Sequence, residues 1–170
     1  MKGQPLRPDL ALIANWIEPG ARVLDLGCGD GVKRGVNVIQ ANIEKGLSMF
    51  GQGRFDVVVL SMAIQATHQT EQVLAEMSSV GAQGIVSFPN FGHWYHAVSI
   101  LQGRMPVSRE MPYQWYDTPN LHLSTPADFE HLLAKLGLVV LQRAFLANGK
   151  AVDWLAPLRA TQAIYRFARA

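Results

Sequence analysis

The apolar positions of this chain alternate between two rhythms. From residue 9 to 17, Leu10, Ile13, Ala14 and Ile17 recur at helical spacing, with Pro8 near the start and Pro19-Gly20 as the stop. This predicts an amphipathic helix that leads into a turn. Arg22-Val23-Leu24-Asp25-Leu26 is then a short apolar strand running into Gly27, Gly29 and Gly31. Val36 to Gln40 reads as a second strand and Phe55 to Leu60 as a third, the latter so continuously apolar that both its faces should be covered, as in a parallel sheet. Gln72 to Val80 predicts a helix and Gly84 to Phe88 a strand, while Phe91 to Gln102 suits either loop or helix. Ser124-Thr125-Pro126-Ala127-Asp128 is a helix start, with Thr125 or Ser124 as N-cap and Pro126 in the first turn. That helix should run to Leu136, with Gly137 as its C-cap. Leu138 to Phe145 and Ala163 to Phe167 close the pattern as two strands. The expected fold is α/β: a mostly parallel central sheet with helices on both faces.

Composition narrows the class. The 170 residues fit one domain, and 16% charged residues is well below the roughly 25% of an ordinary soluble domain, so some apolar surface is expected to face a partner. A formal charge of +2 without any block of like charges gives no nucleic-acid footprint. One cysteine excludes a disulfide framework and a multi-cysteine zinc site. No apolar run approaches the ~20 residues of a membrane span, and Met-Lys-Gly-Gln-Pro lacks a signal-peptide core, so the expected address is the cytoplasm.

The richest chemistry lies in Asp25-Leu26-Gly27-Cys28-Gly29-Asp30-Gly31, directly after an apolar strand. Ligands of open α/β sheets bind outside the carboxyl ends of the strands, and glycines there let the backbone approach closely. Asp25 can accept a hydrogen bond from a ligand amine or order the loop, Asp30 can cap the next element, and Cys28 suits a small spacer better than a nucleophile. The spacing is neither the dinucleotide fingerprint nor a phosphate loop. It resembles motif I of the class I S-adenosylmethionine-dependent methyltransferases, a Rossmann-like fold whose loop cradles the amino acid end of the cofactor.

The likeness extends beyond this motif. Val23 to Gly31, Gly35 to Gln40, Phe55 to Val59, Gly84 to Trp94 (with Phe-Pro-Asn-Phe-Gly-His-Trp), Gly103-Arg104-Met105-Pro106-Val107 and Trp115-Tyr116-Asp117-Thr118-Pro119-Asn120-Leu121-His122 resemble the MetW family of methionine biosynthesis proteins. The resemblance implies a methyltransferase-like fold, and a role beside the homoserine O-acyltransferase MetX, whose succinyl transfer such proteins support. The alternative is a methyltransferase acting on a small molecule, which leaves open whether the chain is itself an enzyme. The cofactor positions so implied are Asp25, Gly27, Cys28, Gly29, Asp30, Gly31, Ser61 and Met62. Asn90, His93, Trp94, Arg104, Trp115, Tyr116 and His122, on an interface or cap insertion at about 89–123, are the implied partner or substrate contacts.

Between Gly31 and Val36 stand only Val32-Lys33-Arg34-Gly35, where this fold has a helix, its second strand and another helix. Five links reach at most about 18 Å, while the chain must return along a strand of ~17 Å and step ~4.8 Å sideways. The expectation is that a helix-strand-helix segment of roughly 25 residues is missing between Gly31 and Val32. That strand normally ends in an acidic residue on the cofactor ribose, so the gap would leave an S-adenosylmethionine site incomplete. Among other candidates, Gln65, Thr67 or His68 follow the third apolar strand and could line a cleft, His68 better suiting a solvated loop. His93 and His96 make a His-x-x-His pair that would need a third ligand such as His122 to hold a metal; packing a lid or interface loop suits them better, and no metal is expected. Met105, Pro106, Met111, Tyr113, Trp115 and Tyr116 suit an interface or a cap, and Trp154, Leu155 and Leu158 a second contact surface or core.

Overall fold

The computed structural model describes residues 7–26, 37–41, 46–47 and 49–170. In chain order the elements are α1 (Pro8–Trp16), β1 (Arg22–Leu26), β2 (Asn37–Ala41), β3 (Phe55–Ser61), α2 (Thr70–Val80), β4 (Gly81–Pro89), α3 (Trp94–Leu101), α4 (Pro126–Lys135), β5 (Leu138–Ala147), β6 (Lys150–Ala151), α5 (Ala156–Arg159) and β7 (Gln162–Arg169). A 3-10 turn, Ile64–Ala66, follows β3. The strands form one sheet in the order β2-β1-β3-β4-β7-β5-β6 among the described residues. It is parallel from β2 to β4 and antiparallel beyond β4, so the sheet is mixed where the sequence suggested mostly parallel.

Both faces of the central strands are covered. Leu24, Val58, Leu60, Val86 and Phe88 pack with α2 and α4 through Leu74, Met77, Phe129 and Leu133. On the opposite face Val23, Val57, Val59 and Ile85 meet Leu10, Ile13 and Ile17 of the α1 region. In the run from Phe55 to Leu60 every apolar side chain is therefore buried, and only Asp56, paired with Arg22 at 2.9 Å, reaches the surface. Tyr165 of β7 stacks 6.0 Å from Phe88 and donates its hydroxyl to Glu130 of α4 at 2.8 Å. Burial, and then that bond, push its phenol well above the usual tyrosine value.

Helix starts follow their caps. Thr125 is the N-cap of α4, accepting from the Asp128 main-chain N–H at 3.3 Å, and Pro126 opens the helix. Gly137, at φ +68, takes the left-handed conformation after α4. The ambiguous stretch at 91–102 resolves into α3, in which only His96 is buried. No helix among the described residues is long and apolar enough to cross a membrane.

Candidate functional site

The ligand end of an open α/β sheet is the carboxyl end of its strands. There β1 brings Asp25, which is buried and in register with Val59 of β3 and Gln40 of β2. Gly27, Cys28, Gly29, Asp30 and Gly31, expected as the cofactor cradle, lie outside the described residues, as does Val32 to Gly35. β3 ends at Ser61, and Met62 beyond it holds a left-handed φ of 52°.

Ser61 is bound into a buried polar cluster. Its hydroxyl donates to Asp9 Oδ2 at 2.8 Å and accepts from the Arg7 guanidinium. Ser87 of β4, its register partner, donates to the same Asp9 oxygen at 3.1 Å and receives the Met62 main-chain N–H at 3.1 Å. Arg7 closes the cluster with two bonds to Asp9, at 3.2 and 3.1 Å. A buried carboxylate with four donors is fully compensated, so this cluster locks the N-terminus of α1 onto the strand ends. It leaves Ser61 little freedom to meet a ligand. Asp9 and Ser87 carried no signal in the sequence, because their partners lie 52 and 78 residues away.

The insertion begins with another lock. Asn90 is fully buried, and its amide donates to the carbonyls of Pro157 at 2.6 Å and Ala160 at 2.8 Å while accepting from Gly92 N at 2.9 Å. The side chain thereby ties the root of the insertion to α5. His96 sits behind it, its Nδ1 3.2 Å from the Phe91 carbonyl, and its Nε2 has no hydrogen-bond partner among the described residues. Burial pushes both His93 and His96 below the usual histidine value, and the nearby His96 adds to the effect at His93. The two rings stand 5.6 Å apart, and no group of three metal-ligating side chains comes together among the described residues.

The other expected contacts are exposed. Trp94, Arg104, Trp115, Tyr116 and His122 all face outward, with Trp115 72% and Tyr116 71% accessible. Tyr95, Val98, Ile100 and Leu101 make α3 an apolar helix turned to the outside. Trp154, Leu155 and Leu158 are exposed beside α5, the element that Asn90 ties to the insertion. Gln65, His68 and His122 meet on the wall of a cavity of about 660 Å³.

Comparison with known proteins places this geometry. The family model described as "Methionine biosynthesis protein MetW" matches residues 7–33 and 31–167, two stretches that meet at residues 31–33. The bifunctional methionine biosynthesis protein MetXA/MetW of Rhodopirellula baltica is 31% identical over 179 residues, covering 82% of this chain, which spans only 28% of that relative's length. Since 82% of 170 residues is about 139, about 40 of those aligned positions face no residue of this chain. In fold, the chain is similar to an S-adenosylmethionine-dependent methyltransferase from Archaeoglobus fulgidus, with a TM-score of 0.63 at 14% identity over 93% of this chain and 90% of that one. Magnesium protoporphyrin IX methyltransferase of Synechocystis PCC 6803 gives a TM-score of 0.55 at 16% identity, over 95% of this chain and 80% of that one. These structural likenesses establish the Rossmann-like class I methyltransferase fold.

Proposed function

The chain belongs to the MetW family of methionine biosynthesis proteins, and from that premise we propose that it is a methyltransferase-fold partner supporting acyl transfer to homoserine by MetX. The observation that carries this reading is the Rhodopirellula baltica relative, which joins MetXA and MetW in one polypeptide. Two activities fused in one chain in one organism commonly work side by side as separate chains in another. The exposed aromatic insertion supplies a matching surface. Aromatic and methionine side chains are enriched at interfaces, and Trp94, Trp115, Tyr116 and Met105 are all outward-facing. Asn90 holds α5 to the root of this insertion, so Trp154 and Leu158 extend the same proposed contact region.

A methyl-transfer role is the second reading, favoured by the fold of the solved structures. The residues described here do not fit S-adenosylmethionine well. The strand beside β1 is β2, whose sequence Asn37–Ala41 ends in Gln40 and Ala41 rather than a ribose-binding carboxylate. Residues 27–36 alone join β1 to this parallel neighbour, fewer than the dozen or more of an ordinary crossover. The break in the family match at 31–33 falls in the same place. The proposed role accordingly uses no step through that cofactor, and Asp25 belongs to it only as a buried strand-end residue.

Co-purification tests the partnership. Tagged chain should retain a homoserine O-acyltransferase of the MetX type, and a Trp94→Ala/Trp115→Ala double variant should lose at least about tenfold in affinity, as expected for interface aromatics. Retention unchanged by the double substitution would remove the insertion from the interface, and no retention by the unaltered chain would refute the partnership.

A further inference from the structure

Two histidines stand at the start of α3, and each is placed by contacts that suit only its neutral ring. His93 is the N-cap. Its main-chain carbonyl accepts from His96 N at 2.9 Å and Ala97 N at 3.3 Å, and its ring Nδ1 accepts from Tyr95 N at 3.3 Å. An imidazole accepts only through a nitrogen that carries no proton. Protonating His93 at Nδ1 therefore removes the side-chain cap and sets a positive charge at the positive end of the helix dipole. His96, three residues on, is the one buried residue of α3. Its Nδ1 lies 3.2 Å from the Phe91 carbonyl, so that nitrogen holds the proton, and Nε2 is shut off from solvent with no hydrogen-bond partner among the described residues. A second proton, at Nε2, would make a buried charge with no acceptor in place.

Little around the two rings offsets such a charge. They face each other at 5.6 Å, so a charge on one opposes a charge on the other. His96 otherwise faces the rings of Phe91 at 5.5 Å and Tyr95 at 6.1 Å, and His93 faces that of Trp94 at 5.7 Å. The carbonyls of Phe91 and Asn90 favour a charged His96 and the Glu110 carboxylate favours both charged rings, but burial outweighs them. Neither histidine has a salt bridge among the described residues. Beyond this first turn α3 has little to hold it: apart from half-buried Ser99 its other residues are exposed, among them Trp94, Tyr95, Val98, Ile100 and Leu101.

From the His93 cap, the enclosed His96 Nε2 and the exposure of the rest of the helix, we propose that α3 is a contact helix released by protons. It is seated, with its apolar side chains presented, while both rings are neutral, and it comes away from the root of the insertion when they are protonated in mild acid. The consequence for docking rests on the acyltransferase partnership proposed above; the release itself does not. Hydrogen exchange of the full chain at pH 7.5 and 5.5, corrected for intrinsic rates, tests the release. Across this interval an imidazole of ordinary affinity goes from mostly neutral to mostly charged, so protection of amides 96–102 should fall at least about fivefold. These amides should exchange through an opening separate from that of α4, which stays better protected at both pH values. In a His93→Asn/His96→Asn variant the change should shrink to within about twofold. Asparagine does not titrate, its oxygen caps a helix at 93, and at 96 its amide stands where Nδ1 donates to the Phe91 carbonyl. Retention of a MetX-type acyltransferase by tagged chain should likewise fall at least about fivefold from pH 7.5 to 5.5, and less than about twofold with the double variant. Unchanged α3 protection in the unaltered chain, exchange of α3 only together with α4, or an equal loss in the double variant would overturn the release. Retention that falls equally with both chains would overturn the gating of docking. No retention at pH 7.5 would refute the partnership, with the exchange data still deciding the release.

Discussion

Asn90 shows how one side chain can hold two distant segments. It meets three main-chain groups at 2.6, 2.8 and 2.9 Å, 67 and 70 residues away at α5 and two residues away at Gly92. Replacing it by alanine strands the buried Ala160 carbonyl and removes the partner of the part-buried Pro157 carbonyl, so Asn90→Ala should lower stability by about 1–3 kcal/mol in urea unfolding. Tryptophan fluorescence should also report loosening near Trp154. His93 and His96 act in the opposite sense from a salt-bridged histidine. Both are depressed below 6.5 in the folded chain, chiefly by burial. Below 6.5 the unfolded chain therefore binds more protons than the folded one, and stability falls as pH drops through that value toward the folded pKa values. Urea midpoints measured from about pH 7.5 down to 5.5 should decline, and a His93→Gln/His96→Asn variant should show a shallower slope.

Elements were legible in proportion to how much of their pattern serves burial. β1 and β3 are legible as strongly apolar segments, Val57 to Leu60 without a break, because both their faces are covered, and α4 by a cap that the structure confirms at Thr125. α3 was ambiguous for a physical reason: Trp94, Tyr95, Val98, Ile100 and Leu101 are apolar yet exposed, and the one buried residue is polar. β6 and α5, two and four residues long, are too short to carry a period. In the candidate site, Gln65 and the exposed aromatics could be named from position in the chain. The Arg7–Asp9–Ser61–Ser87 cluster could not, since it is assembled from three separated segments, the start of α1 and the ends of β3 and β4. Close approach between strands gives a sharp test of the sheet itself. A Cβ added at Gly84 would stand 2.4 Å from the Phe167 ring, which is fully buried. Gly84→Ala should thus cost about 1–3 kcal/mol by overpacking, read from thermal or urea unfolding.

Across the whole molecule, a methyltransferase-like fold carries a surface with many exposed large apolar side chains. The cores on both faces of the sheet are well filled, while large aromatics gather on the insertion and beside α5. The low charged fraction of 16% now has a location, because much of the exposed apolar surface lies between residues 94 and 123. About 40 of the positions aligned with its bifunctional relative face no residue of this chain, and the family match breaks just after the glycine loop. Partner support and methyl transfer make different demands on that region, which allows them to be separated in one experiment. Homoserine acylation by a MetX-type acyltransferase should be assayed with and without this chain, in the absence and presence of S-adenosylmethionine. The account predicts faster acyl transfer when the chain is added, the same gain with or without S-adenosylmethionine, and no consumption of it. Acylation unchanged by the chain, or a gain that appears only while S-adenosylmethionine is consumed, would contradict it.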